Sequence, residues 1–385
     1  MRVLHVIPSI SLLRGGPTVA ALEMAAAQRQ LGLDARLLST DDHGPSDFED
    51  LPTGVWCEYQ GVPVWLCRRW PLPGRSLRDW ALAPALPWRL HHQLGDIDLL
   101  HVHALFAFPS TTAMLMARCA GVPYVVSTIG QLCSWSLQQS PTRKRLMLAL
   151  IERANLAGAA ALHVTTTAEA QQTAALQLPV PCLEIPLGVM APPLLPSGGG
   201  QPPTPQRLLF LSRLHPKKQL ENLLEALALL RRRQPQLSWQ LQIAGRGEPV
   251  YEAALQQLAL RLGLERQCHW LGFVEGQAKW QLLAQADWLV LPSAAENFGI
   301  VVIEALAAGT PVLLSPEVAL APAVQAANAG RVCSSEPEQL AAVLAQVLSH
   351  PDAQWRLRAR ALAVEQFSWP AIAERFAAAY RALAA

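Results

Sequence analysis

Residues 291–313, LPSAAENFGIVVIEALAAGTPVL, set the reading of the whole chain. They run as a strand end, a polar loop, a helix, a glycine stop and a second apolar strand, the rhythm of a doubly wound α/β sheet. Glu296, in the loop, and Glu304, in an otherwise apolar helix, are the only charges. A carboxylate on an apolar helix is costly to bury unless it is hydrogen-bonded. Gly299 can open that helix, whose free N–H groups favour a phosphate. On the residues alone, a cap at Glu296 and a salt bridge at Glu304 weigh as much as a ligand site.

Toward the N-terminus the same alternation continues: strand 287–291, helix 275–285, strand 268–271, helix 249–262, strand 239–244, helix 219–233 and strand 207–212. Beyond 314 come helices over 336–349 and 351–366 and a last amphipathic helix over 370–383. Before 207 the composition changes. Residues 191–206, APPLLPSGGGQPPTPQ, have the proline- and glycine-rich character of an interdomain linker. A second β-α alternation fills 1–190, with strands at 3–7, 35–39, 99–102, 124–127, 160–164 and 182–185 and helices at 17–31, 110–120 and 141–157. Two domains follow, as 385 residues also predict. Each should carry its ligand loops at the carboxyl ends of its strands, and a cleft between two such units is a natural substrate site.

Composition narrows the function. A net charge of +2 argues against a general nucleic-acid binder. Seven cysteines with no CxxC pair point to reduced thiols in a cytosolic protein, not to a disulfide frame or a zinc site. MRVLHVIPSI reads as a first strand, not a signal peptide, and no apolar run of membrane-spanning length occurs. Residues 52–92 hold five tryptophans (56, 65, 70, 80 and 88) among Arg68, Arg69, Arg75, Arg78 and Arg89. They read first as an inserted hairpin and loop. The alternative is a patch for an anionic membrane surface or a lipid-linked acceptor.

Several loops carry candidate chemistry. Gly15-Gly16-Pro17 opens the first helix and can bring backbone N–H groups to an anion, although a plain turn fits equally and no GxGxxG is present. Arg213 and Lys218, in FLSRLHPKKQL, suit a diphosphate, with Lys217 the neighbouring candidate. Gly245-Arg246-Gly247 and Gly272-Phe273 mark turns at strand ends. In DIDLLHVHALF, only one of His101 and His103 is expected to face the cleft. His103 is the better choice, and His101 suits a core histidine satisfied by backbone. With no third ligand nearby in sequence, the pair is poor evidence for a metal.

Taken together, these segments resemble the GT-B glycosyltransferases, more narrowly glycosyltransferase family 4 (group 1) of polysaccharide-biosynthesis type. ENFGIVVIEALAAGTPVL is similar to the family's E-x(7)-E motif, from Glu296 to Glu304. FLSRLHPKK resembles its Gly-Arg-…-Lys-Lys-Gly segment, with Ser212 and Gln219 in place of the glycines. DIDLLHVHALFAFPS, GGP, YVVSTIGQLCSWSL and IPLGV resemble further family segments, but Ile129, Leu187 and Met190 depart from the usual residues.

The resemblance implies two Rossmann-like doubly wound domains facing across a cleft. The first would span 1–190, with helix 368–385 packing back on it, and the nucleotide-sugar-binding domain would span 207–367. It implies a retaining transfer with no cofactor and no metal, from a nucleotide-sugar donor, UDP- or GDP-linked, to a glycan or lipid-linked acceptor in cell-surface polysaccharide biosynthesis. The protein would be cytoplasmic, or peripheral at the inner face of an anionic membrane, with no nucleic-acid partner. Arg213 and Lys218 would bind the diphosphate, and Glu304 the ribose hydroxyls. Glu296 and the backbone amides of Asn297, Phe298, Gly299 and Ile300 would take the donor sugar and phosphate. The 272–273 backbone would meet the base, Gly245 would line the same strand ends, and His103, Gly15 and Gly16 would close the site. A nucleotide-sugar epimerase and a non-catalytic scaffold of the same fold remain as alternatives.

Overall fold

Strand β1 (Arg2–Ser9) is buried along almost its whole length and lies at the centre of an eight-stranded sheet. In the computed structural model, residues 1–44, 46–72, 74, 78–138, 141–192, 205–350, 352 and 354–384 are described. They divide into two compact units, Met1–Gly188 with Trp369–Ala385, and Val189–Ser368. Most of the proline-rich stretch 191–206 falls outside the described residues, as does Arg75.

The first unit's sheet runs in the order β10-β9-β8-β7-β1-β2-β6-β5. Its members are β2 (Asp34–Thr40), β5 (Trp56–Tyr59), β6 (Val62–Cys67), β7 (Leu99–His103), β8 (Tyr124–Ser127), β9 (Ala161–Val164) and β10 (Cys182–Glu184). The short pair β3 (Asp42–His43) and β4 (Ser46–Asp47) stands apart as a ribbon. Only the β5–β6 hairpin is antiparallel within the sheet. The strands β7 and β8 are buried throughout, as expected of parallel strands covered on both faces. The C-terminal helix Trp369–Ala384 packs on the first helix, Gly16–Gln30, where Trp369 donates to Glu23 at 2.6 Å. Gly188 lies so close to the Trp369 ring that a Cβ there would overlap it.

The second unit's sheet is parallel throughout, in the order β13-β12-β11-β14-β15-β16. Its strands are β11 (Gln206–Leu211), β12 (Trp239–Ala244), β13 (Cys268–Gly272), β14 (Trp288–Leu291), β15 (Val312–Leu314) and β16 (Gly330–Val332). In both sheets the strand order reverses beside the unit's first strand, between β1 and β7 and between β11 and β14. Ligands of such sheets bind outside the carboxyl ends of the strands at that reversal.

The tryptophan- and arginine-rich segment is largely spent on internal contacts. Trp56 and Trp65 pack edge to face at 5.7 Å, and the Arg89 guanidinium lies 3.7 Å from the Trp65 ring. Arg69 is enclosed by Asp41, Asp42 and Asp47. Trp70 and Trp88 remain about 60% and 62% exposed. Among the described residues no helix is long and apolar enough to cross a membrane.

Candidate functional site

In the second unit, two loops meet at the strand-order reversal. The one after β11 carries Arg213 and a 3₁₀ turn, Pro216–Lys218. The one after β14 carries Glu296 through Gly299. Backbone hydrogen bonds tie these loops to their neighbours: Ala294 N to Lys217 O at 2.8 Å, Leu214 N to Arg246 O at 2.9 Å and Gly245 N to Gly272 O at 2.7 Å. Glycine is required where they crowd. Gly245 has φ +140°, and a Cβ there would overlap the Ser212 carbonyl oxygen. At Gly247 the obstacle would be the Leu214 carbonyl. Gln219, where the family pattern has glycine, takes the left-handed φ of 51°. Its buried Oε1 has no partner among the described residues.

Across the reversal, the Lys218 ammonium contacts the Glu296 carboxylate. Glu296 is clamped through its backbone, donating to Glu317 O at 3.1 Å and accepting from Ala319 N at 3.2 Å. Burial, then the charges of Lys217 and Arg213, push the Lys218 pKa down to about 7. The Glu296 carboxylate in contact works against that shift. Arg213 is exposed, with no ion-pair partner among the described residues.

Gly299, with φ +86°, caps the helix Ile300–Ala307, while Phe298 is buried against Phe367. Asn297 and Ile300 are half-buried at the helix mouth. Glu304 sits one turn inside, 6% exposed, and accepts from Lys279 Nζ at 2.6 Å. Burial raises its pKa and Lys279 opposes the rise. Lys279, on the helix Gly276–Gln285, is the residue the sequence reading lacked; it is that helix's only charge. The structure therefore joins Lys218 to Glu296 and Glu304 to Lys279, and sets Gly245 beside Gly272. Phe273 follows Gly272 and is about 42% exposed.

In the first unit, Gly15 (φ +91°) and Gly16 stand at the start of the Gly16–Gln30 helix, after β1. His103 ends β7, the strand across the reversal from β1. The expectation that only one of His101 and His103 shares the site face is corrected. Residues two apart on a strand lie on the same face. Both rings stack there at 4.3 Å. His101 is satisfied by side chains, not backbone: Tyr380 OH at 2.5 Å and Ser127 Oγ at 2.7 Å. A third histidine is also near, since β1 places His5 opposite His101 and within 2.9 Å of His103. The three offer nitrogens within 4.8 Å of one another. Hydrogen bonds already occupy all of these nitrogens except His103 Nδ1, which takes no partner among the described residues. A cavity of about 320 Å³ opens at the ends of β1 and β7, lined by four basic residues (Arg14, Arg78, Arg143 and Lys144) and by Asp42 and Asp79.

Two doubly wound sheets of this order, each with loops gathered at its reversal, are the architecture of a ligand-binding α/β protein, and the comparisons say of which family. Residues 196–363 match the family model described as glycosyl transferases group 1. Residues 15–188 match a glycosyl transferase 4-like domain. The chain belongs to the group 1, family 4 glycosyltransferases of GT-B fold. It is 29% identical over 398 residues to a phosphatidyl-myo-inositol mannosyltransferase of Mycobacterium leprae, covering 100% of this chain and 97% of that one. With a D-inositol 3-phosphate glycosyltransferase of Thermomonospora curvata the identity is 29%, over 75% of this chain and 72% of the relative. Against an uncharacterized glycosyltransferase of Methanocaldococcus jannaschii it is 33%, over 45% and 44%. Among solved structures, Anabaena HepE in complex with UDP and glucose superposes with a TM-score of 0.75 at 22% identity, over 98% of this chain and 99% of that one.

Proposed function

We propose that the chain transfers a sugar from a nucleotide diphosphate donor to an acceptor bearing an anionic group, with retention and without a metal. The observation that carries this reading is the Lys218–Glu296 contact across the second unit's strand reversal, with exposed Arg213 beside it. When the glycosidic bond breaks, negative charge grows on the nucleoside diphosphate. An unpaired guanidinium and an ammonium held by one exchangeable contact can take up that charge. The amides at Gly299 and Ile300 start a helix whose dipole favours the same phosphate. Glu304, anchored by Lys279, is assigned to the ribose hydroxyls, and Glu296 to the sugar once a phosphate draws Lys218 away. Solved relatives of the same fold hold UDP and UDP-glucose, which favours such a donor.

For the acceptor, the first unit's cavity is the best-fitting place. Arg14 is paired with Asp42 at 2.7 Å and with Asp79 at 2.9 Å, which leaves Arg78 and Lys144 as surplus positive charge on the wall. A phosphate- or uronate-bearing glycan or lipid-linked sugar suits that wall, in line with a role in cell-surface polysaccharide assembly.

The test is direct. A panel of nucleotide sugars should contain one that raises the melting temperature. Arg213→Ala should then weaken binding of that nucleotide by about 10- to 100-fold, the worth of a charge-assisted hydrogen bond to phosphate. Glu304→Ala should abolish transfer with the fold intact by circular dichroism. Undiminished turnover in both variants would sink the proposal.

A further inference from the structure

Strand register in the first unit sets a polar row inside an otherwise apolar layer. His5 pairs with His101 across β1 and β7, His103 with Ser127 across β7 and β8, and Ser127 with His163 across β8 and β9. Paired residues of parallel strands share a face, so all five side chains point the same way. The helices Gly16–Gln30 and Trp369–Ala384 supply Gln28 and Tyr380. All seven residues are buried, none more than 3% exposed.

The row's contacts form one unbroken line. His103 Nε2 meets His5 Nδ1 at 2.9 Å, and His5 Nε2 meets Gln28 Oε1 at 2.8 Å. Gln28 Nε2 donates to Tyr380 OH at 3.2 Å, and Tyr380 OH meets His101 Nδ1 at 2.5 Å. His101 Nε2 meets Ser127 Oγ at 2.7 Å, Ser127 Oγ meets His163 Nδ1 at 2.6 Å, and His163 Nε2 meets the Ile185 carbonyl at 2.8 Å.

Its direction follows from its last member. The Ile185 carbonyl can only accept, so His163 carries its proton on Nε2. A neutral His163 then accepts at Nδ1, Ser127 donates to it, and His101 must donate to Ser127. His101 Nδ1 is thereby an acceptor, and the Tyr380 hydroxyl hydrogen goes to it. The Tyr380 oxygen has no second hydrogen, so it must accept, which fixes the Gln28 amide with its NH₂ toward Tyr380 and its oxygen toward His5. His5 carries its proton on Nε2 and accepts at Nδ1. Burial keeps the rings neutral, each with its pKa lowered.

We propose that this one-way chain locks His103 in the tautomer protonated at Nε2, with Nδ1 a fixed hydrogen-bond acceptor, and that Tyr380 and Gln28 are positioning residues for it. A ring so held can receive a substrate hydroxyl but cannot offer a proton to a leaving group from Nδ1. That His103 meets substrate rests on the role the family resemblance implies for it within the function proposed above; the tautomer does not.

Long-range proton–nitrogen correlation spectra of the full chain, labelled with ¹⁵N-histidine at neutral pH, test the lock without substrate. His103, assigned by comparison with His103→Asn, should show a pyridine-like Nδ1 and a pyrrole-like Nε2. The opposite tautomer, or a doubly protonated ring, would overturn the chain. Tyr380→Phe keeps the packing but frees the Gln28 amide to turn over. His5 and His103 should then populate both tautomers, while His101 and His163 keep theirs. Gln28→Met should likewise release His5 and His103. A single unchanged His103 tautomer in both variants would overturn the positioning role. With a donor in hand, Tyr380→Phe should lower kcat by about twofold or more, in proportion to the His103 population lost, at unchanged KM. Altered tautomers with unaltered kcat would instead remove His103 from the reaction and leave the lock standing.

Discussion

A lysine with a pKa near 7 is a conditional cation, and Lys218 depends on one neighbour for its charge. Burial and the positive charges of Lys217 and Arg213 favour the neutral amine. Glu296 favours the ammonium. Glu296→Gln removes that support while preserving shape. In the variant, Lys218 should lose its proton at a lower pH than the value of about 7 it has beside Glu296, and with it the charge offered to a diphosphate. Affinity for UDP or GDP should therefore fall with rising pH in both proteins, by up to about tenfold per unit. The fall should begin at a lower pH in the variant than in the wild type. Titration calorimetry between pH 6 and 9 reads the difference, and coincident profiles for the two proteins would refute the dependence. Glu304 differs in kind: it is buried, and its partner, Lys279, is half-buried on a separate helix.

At the scale of elements, the second unit's loops are set by glycines that the strands force. β11 and β12 run so close at their carboxyl ends that position 245 has no room for a side chain. Gly245→Ala must move the Ser212 carbonyl or leave its φ of 140°. Either should cost about 1–3 kcal/mol, read as a lower midpoint in denaturant with an unchanged slope. Much of this was legible in the sequence, because long parallel strands read as apolar runs and glycine, proline and polar clusters punctuate them. The β-α alternation from 207 to 314 is an example, as is the E-x(7)-E helix. What escaped was short or set by distant partners. β16 (Gly330–Val332) and the helices Leu86–Leu94, Thr167–Ala174 and Ala321–Ala326 span too few residues to show a period. Lys279 could not be tied to Glu304 without the packing of two helices. The histidine row was visible only as scattered letters, since register, not spacing, brings His5, His101 and His163 together. Gln219 carried a hint: a non-glycine in a glycine position marks a left-handed backbone.

Across the whole molecule, buried ionisable groups are distributed unequally between the two units. The first contains His5, His101, His103 and His163, all buried with lowered pKa values. The second has His215, His269 and His350, all exposed. A histidine whose folded pKa lies below its unfolded value binds fewer protons when folded, so the stability it permits is full above the unfolded pKa and is lost as pH falls. For His5 that window runs from 6.5 down to about 4. At pH 5 this one ring should remove about 2 kcal/mol from the first unit. That corresponds to a fall in Tm of about 4–8 °C in a unit of this size, and the other three rings add to it. In the second unit one histidine, His215, has a lowered pKa, and it is exposed, so the penalty there is smaller, and lowering pH from 7.5 to 5 should separate the two unfolding transitions, the first unit melting earlier. Scanning calorimetry shows this as one peak dividing into two. Because His5 and His101 tie the sheet to Gln28 and Tyr380, the peak that moves should be the one accompanied by loss of protection from hydrogen exchange in the C-terminal helix. If the helix instead stays protected until the later peak, acid is not acting through the histidine row.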